Sequence, residues 1–182
     1  MATPTKLMSF AEFEQLPDRP GFRQELHHGE LVEVAPPKSD HFMIQQMLRD
    51  LLDQAGRASG RAYTEVGFRP LPEREFYVVD VAFASHEWWK RFYAVPYFLG
   101  VPDLVIEVLS PSNTVSKINE KAKLCLENGS REFWTVDRNI RQVKVSAPSG
   151  ETVTYRLGQE IPLYFAPDTK VSVDAIFAPP SD

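Results

Sequence analysis

The sequence predicts one α/β domain of α+β character, a central mixed β-sheet flanked by helices, and three observations carry that expectation. The 182 residues are 43% hydrophobic and 25% charged, the balance of an ordinary globular chain. A chain of this length buries roughly 70% of the surface its unfolded form exposes, so no disulfide or structural metal is needed to hold it. The hydrophobic period switches repeatedly between about two and about 3.6 residues. Two segments, FYVVDVAFA and VPDLVIEVLS, are nearly continuous apolar runs of the kind buried inside a sheet. Prolines and glycines are scattered and no repeat or low-complexity tract divides the chain, so residues 1–182 read as a single domain.

Ser9 followed by Glu12 is a capping-box pattern, which predicts a short helix from Ser9 to about Leu16, ended by Pro17. FRQELHH and ELVEVAPP alternate polar and apolar positions on either side of Gly29, predicting a β-hairpin closed by Pro36-Pro37. From Asp40 the period lengthens. Ile44, Met47, Leu48, Leu51, Leu52 and Ala55 mark an amphipathic helix with Ser39 or Asp40 as N-cap and an end near Gly56. RAYTEVGFRPL then alternates as a strand, and FYVVDVAFA is a strand with one acid, Asp80, in its middle. Ser85 is placed to cap a short aromatic helix, HEWWKRFYAV, that Pro96 would stop. VPDLVIEVLS carries Asp103 and Glu107 and is closed by Pro111; a helix from about Thr114 to Asn128 follows, with Gly129 at C′. The remainder returns to β structure: REFWTVD and RQVKVSA joined at Arg138-Asn139-Ile140, then TVTYRL and a terminal segment, VSVDAIF.

Twenty Lys and Arg against 25 Asp and Glu give a net charge of −5, which excludes histone-like binding by bulk positive charge. Contact with nucleic acid would have to be local. Cys125 is the single cysteine, so there is neither an internal bridge nor a thiol zinc cluster, and a reducing, cytoplasmic setting is expected. The first residues lack a signal-type apolar core and no stretch of 18 apolar residues occurs, so neither secretion nor membrane spanning is expected. His27, His28 and His86 lack the spacing of zinc ligands, and His41, beside Asp40, reads as a capping or packing residue. Trp88, Trp89, Phe92 and Tyr93 read as core or interface, and Cys125 as a packed thiol.

Asp80 and Glu107 stand out because each is an acid surrounded by apolar strand residues, and an ionised group in such a place needs a partner. One reading pairs each with an arginine or a backbone amide. The other places the strands side by side, with both acids on one divalent ion. Asp103 and Glu107, four apart on one strand, lie about 13 Å from each other and cannot share an ion in regular geometry. Asp80 and Glu107 can meet across a ladder. Hard oxygen ligands of this kind suit Mg²⁺ or Mn²⁺. Lys121, three residues after Ile118 and four before Cys125, falls on or beside the sheet-facing side of the next helix, where an ammonium could bind a phosphate or orient a water.

With these residues in place, FRQELHHGELVEVAPP, the Asp40-His41 helix start, FYVVDVAF, PDLVIEVLSPSN, EKAKLCLENGSREFWTVD and YRLGQEIPL resemble, in the same order, the Uma-type restriction endonuclease family of the PD-(D/E)xK nuclease superfamily. The resemblance implies a restriction-endonuclease-like sheet and metal-dependent hydrolysis of phosphodiester bonds. It assigns the first metal-binding acid to Asp80 and the second to Glu107. It supplies the lysine from Lys121, since the usual position two residues beyond the second acid is Leu109, and it gives Glu25 an indirect, water-mediated role. Lys117 and Cys125 depart from the family pattern, which has an acid and an aromatic there. The expected function is a Mg²⁺- or Mn²⁺-dependent DNA endonuclease acting as a homodimer, without an organic cofactor. The alternative is a catalytically inactive binding or assembly module on the same fold.

Overall fold

The structure, a computed structural model, describes residues 7–36, 38–95, 98–110 and 114–178. Pro37, Pro96 and Pro111, expected to close three elements, lie outside the described residues. The chain opens with α1 (Phe10–Phe13), shorter than expected but carrying the reciprocal Ser9–Glu12 capping box. The predicted hairpin follows as β1 (Arg23–His27) and β2 (Glu30–Val34), antiparallel with His27 opposite Glu30. Its two-residue loop has φ of 51° at His28 and 82° at Gly29, the left-handed pair that a type I′ turn requires. A Cβ at Gly29 would also meet Leu7 Cβ at 2.9 Å, so this position needs glycine twice over.

Next comes α2 (Ser39–Gly56), whose N-cap is Lys38 without a side-chain bond; Asp40 instead accepts the His41 amide at 2.9 Å and pairs with Arg138. β3 (Gly60–Phe68), β4 (Tyr77–Ser85), α3 (His86–Phe92, capped by Ser85), β5 (Leu104–Val108) and α4 (Val115–Glu127, capped by Thr114) match the expected order. So do β6 (Glu132–Asp137), β7 (Gln142–Ser146) and β8 (Thr152–Arg156). The terminal segment does not. A strand, β9 (Glu160–Leu163), pairs with β10 (Ala166–Ser172), and the second half of VSVDAIF turns into α5 (Val173–Ile176). Val173 and Ile176, three apart and both buried, follow helical spacing, and this outweighs the short alternation before them.

Strands β3-β4-β5-β6-β7-β8 form one six-stranded sheet, in which only the β5–β6 pair is parallel; α4 is the crossover between them. One face packs Val81, Phe83, Leu104 and Ile106 under Leu48 and Leu52 of α2, with Ile161, Val171 and Ile176 beside them. The other packs Ala82, Val105 and Phe133 under Trp88 and Trp89 of α3 and Ile118 and Cys125 of α4. The tryptophans and Cys125 are therefore core residues, while Tyr93 is 66% exposed. Removing a fully buried leucine such as Leu52 costs roughly 2–5 kcal/mol in cores of this kind. Among the described residues no helix is long and apolar enough to cross a membrane.

Candidate active site

The site lies where the sheet ladder opens. The β3–β4 register runs through Thr64↔Val81 and Val66↔Val79, passing over Glu65 and Asp80. The β4–β5 register runs from Phe83↔Leu104 to Val81↔Ile106 and stops one step short of Asp80 and Glu107. Extending both registers puts Glu65, Asp80 and Glu107 in one row across three strands. Glu65 leaves regular strand geometry, with φ of 54°.

Asp80 is 7% exposed and both its oxygens face protein donors. Oδ1 accepts from Gln45 Nε2 at 2.8 Å; Oδ2 accepts the Val108 amide at 2.7 Å and lies 3.1 Å from His41 Nε2. Burial works against a charged His41 ring, but its contact with Asp80 and the charges of Asp80 and Glu107 outweigh that and raise its pKa. Glu107, also 7% exposed, is bonded through Oε1 to Lys121 Nζ at 2.6 Å, and the same ammonium donates to the Val78 carbonyl at 3.1 Å. Burial pushes the Glu107 carboxyl up to about 7; Lys121 opposes the rise, and the Asp80 and Glu25 carboxylates add to it. Lys121 is disfavoured as a cation by burial, yet Glu107 and Glu25 raise its pKa, so it stays charged.

Glu25, on β1, is 2% exposed. It accepts from Arg23 Nε at 3.0 Å and from His27 Nε2 at 2.8 Å. Burial alone would raise its pKa, but Lys121, His27 and Arg23 together hold it at about 2. Arg23 also pairs with Glu65, whose Oε1 accepts from Gln45 Nε2 at 2.7 Å. Thus Glu25, Arg23, Glu65, Gln45 and Asp80 form one chain of hydrogen bonds, and Lys121 bonds Glu107 beside it.

The four residues singled out in the sequence, Asp80, Glu107, Lys121 and Glu25, are therefore brought together. Asp103 is not among them: it lies at the other end of the strands, accepting the Ser85 amide at 2.7 Å. Sequence reasoning missed Gln45, Glu65 and Arg23, and it read His41 without its contact to Asp80. For His41 and Gln45 a signal existed, because they stand four apart on the stripe that continues as Leu48, Leu52 and Gly56, the buried side of α2. Polar residues on a buried stripe require partners.

Among the described residues no group of three or more His, Cys, Asp or Glu side chains is arranged to hold an ion. Asp80 and Glu107 remain as a pair of hard oxygen donors, and beside them Gln45 Oε1 is buried without a hydrogen-bond partner. That set fits a hard divalent cation such as Mg²⁺ or Mn²⁺, which takes one or two carboxylates and fills the remaining positions with water and phosphate oxygens.

The sequence profile of the Uma2 family, "Putative restriction endonuclease", matches residues 10–174. Among solved structures, "a putative nuclease belonging to DUF820" from Anabaena variabilis ATCC 29413 superposes with a TM-score of 0.80 at 23% identity, over 93% of this chain and 97% of that one. At that identity the likeness establishes the fold. No curated protein matches the sequence.

Proposed function

Because the chain belongs to the Uma2 family of restriction-endonuclease-type proteins, we propose that it is a divalent-metal-dependent endonuclease that hydrolyses phosphodiester bonds in DNA. The observation that carries this reading is the opening of the ladder at Asp80 and Glu107, with Lys121 Nζ 2.6 Å from Glu107. Asp80 and Glu107 would hold Mg²⁺. Such an ion would supply Lewis acidity, offsetting negative charge on the phosphate oxygens and lowering the pKa of a water nucleophile.

The protein groups do the rest. Val108 and Gln45 fix both oxygens of Asp80, so that acid is oriented before any ligand arrives. Lys121 keeps its charge through Glu107 and donates to a phosphate oxygen as negative charge builds there. Glu25, held ionised, reaches the centre through an intervening water. Each phosphodiester cut forms one P–O bond to water and breaks one to the leaving strand, which takes up a proton. Two sites related by a twofold axis would cut both strands, so the active species is a homodimer.

The test is cleavage of plasmid DNA with Mg²⁺. Asp80→Ala and Glu107→Ala are each expected to abolish it, and cleavage persisting in both purified variants would overturn the assignment. A second reading, a binding or assembly module without turnover, is favoured by one observation: both oxygens of Asp80 already have protein donors. Calorimetric titration with Mn²⁺ separates the two. Binding by the wild type that is lost in Asp80→Asn supports the nuclease, whereas no binding by the wild type supports the module.

A further inference from the structure

We infer that Gln45 is the positioning residue that sets Asp80 for the cation, and that Glu65 acts through Gln45 by fixing the orientation of its amide; the inference rests on the metal-site reading above. Gln45 is fully buried, and its Nε2 donates to two carboxylate oxygens, Glu65 Oε1 at 2.7 Å and Asp80 Oδ1 at 2.8 Å. Turning the amide over would set its carbonyl oxygen against both carboxylates. The orientation is therefore forced, and its cost is visible: Oε1 is buried without a donor.

The backbone of Glu65 carries a second cost for the same arrangement. A φ of 54° is uncommon for a residue other than glycine, and such strain gathers where function over-determines the geometry. In regular strand geometry Glu65 would stand in line with Asp80 and Glu107, three carboxylates in one row. The left-handed turn instead goes with a carboxylate seated between Gln45 and Arg23. Arg23 balances its charge, and Oε1 remains available to Gln45. Glu65 does not contact the proposed ligands. Among the described residues it locks the one side-chain donor that reaches Asp80 Oδ1.

The experiment is Mn²⁺ titration by calorimetry on the full chain, with melting followed by circular dichroism, for the wild type, Gln45→Met, Glu65→Gly and the double variant. Glycine tolerates the positive φ, so Glu65→Gly removes the carboxylate without adding backbone strain. Partners of metal ligands typically contribute 10–100-fold to affinity, so Gln45→Met is expected to weaken Mn²⁺ binding by about that factor and Glu65→Gly by roughly tenfold. If Glu65 works through Gln45, the double variant binds no more weakly than Gln45→Met alone. A residue that only supports the fold would shift melting and leave the affinity of the folded protein unchanged. Wild-type affinity in Gln45→Met overturns the role of Gln45, and multiplying losses in the double variant overturn the coupling. Should Gln45→Met fail to fold, wild-type affinity in Glu65→Gly overturns the inference by itself. No Mn²⁺ binding by the wild type removes the metal site, and this inference with it.

Discussion

The Asp80 carboxylate accepts the Val108 amide at 2.7 Å, so a side chain takes over the pairing of β4 with β5 where the backbone ladder stops at Val81 and Ile106. A strand pair that parts inside a sheet leaves backbone groups needing partners. Here one partner is the acid proposed as a metal ligand. The same substitution of side chain for backbone occurs one step short of the register position that Asp80 and Glu107 would share.

From this follows a stability effect independent of any ligand. In Asp80→Asn the new NH₂ group must face a donor in either orientation, since Gln45 Nε2 lies at one oxygen and the Val108 amide at the other. Leaving a buried donor unsatisfied costs about 1–3 kcal/mol. Urea unfolding without metal should show a loss of that size with an unchanged slope. A variant as stable as the wild type would mean that the Val108 bond is dispensable.

Lys121 and Glu107 together predict a proton count. With its carboxyl near 7, Glu107 is largely protonated at pH 6 and must release that proton to bind a cation. Titrating Mn²⁺ in two buffers of different ionisation heat should therefore register close to one proton released at pH 6 and little at pH 8. Lys121→Met removes the opposing cation, so the release should persist to pH 8. Equal release at both pH values in the wild type would contradict a raised Glu107. The sign for folding agrees: a carboxyl raised in the folded state favours folding at low pH, and that contribution is lost as pH rises through about 7.

Glu25 works in the opposite sense. Its folded value of about 2 lies below the ordinary 4.5, so its contribution is present above about pH 4.5 and is lost as pH falls towards 2. The shift corresponds to something on the order of 3 kcal/mol, exchanged among Lys121, His27 and Arg23. Glu25→Gln should consequently be less stable than the wild type at pH 7 and draw level near pH 2. Guanidinium unfolding at those two pH values measures this directly, and a constant gap between the proteins would remove Glu25 from the charge network.

How much of this was legible in the sequence depended on what each residue does alone. Asp80 and Glu107 were visible because an acid in an apolar strand is anomalous by itself, and Lys121 because its helical spacing turns it to the sheet. The hairpin was visible from its alternation about Gly29. Glu65 was not: it sits in an alternating strand where a glutamate is ordinary, and only its left-handed backbone and its place in line with Asp80 distinguish it. Arg23 was hidden in the same way, since pairing with Glu25 and Glu65 depends on how the hairpin docks. The C-terminal β9–β10 pair escaped because four residues with a proline, EIPL, carry almost no period.

The net charge of −5 leads to a last prediction, about salt. Several basic side chains at the site end of the sheet are already committed: Arg23 to Glu25 and Glu65, Arg138 to Asp40, Lys121 to Glu107. Lys117 is different, being exposed one turn before Lys121 on the same side of α4. Each phosphate neutralised contributes about 0.9 to the slope of log affinity against log salt concentration on duplex DNA. With the net charge negative and Arg23, Arg138 and Lys121 at the site already paired, a slope shallower than about −4 is expected for non-specific duplex binding. Lys117→Ala should reduce its size by about one phosphate's share. Fluorescence anisotropy with a labelled duplex between low and moderate salt measures both, with Ca²⁺ replacing Mg²⁺ to suppress cleavage. A steep slope that Lys117→Ala does not alter would place the DNA-binding surface away from the mouth formed by α4 and the opened strands.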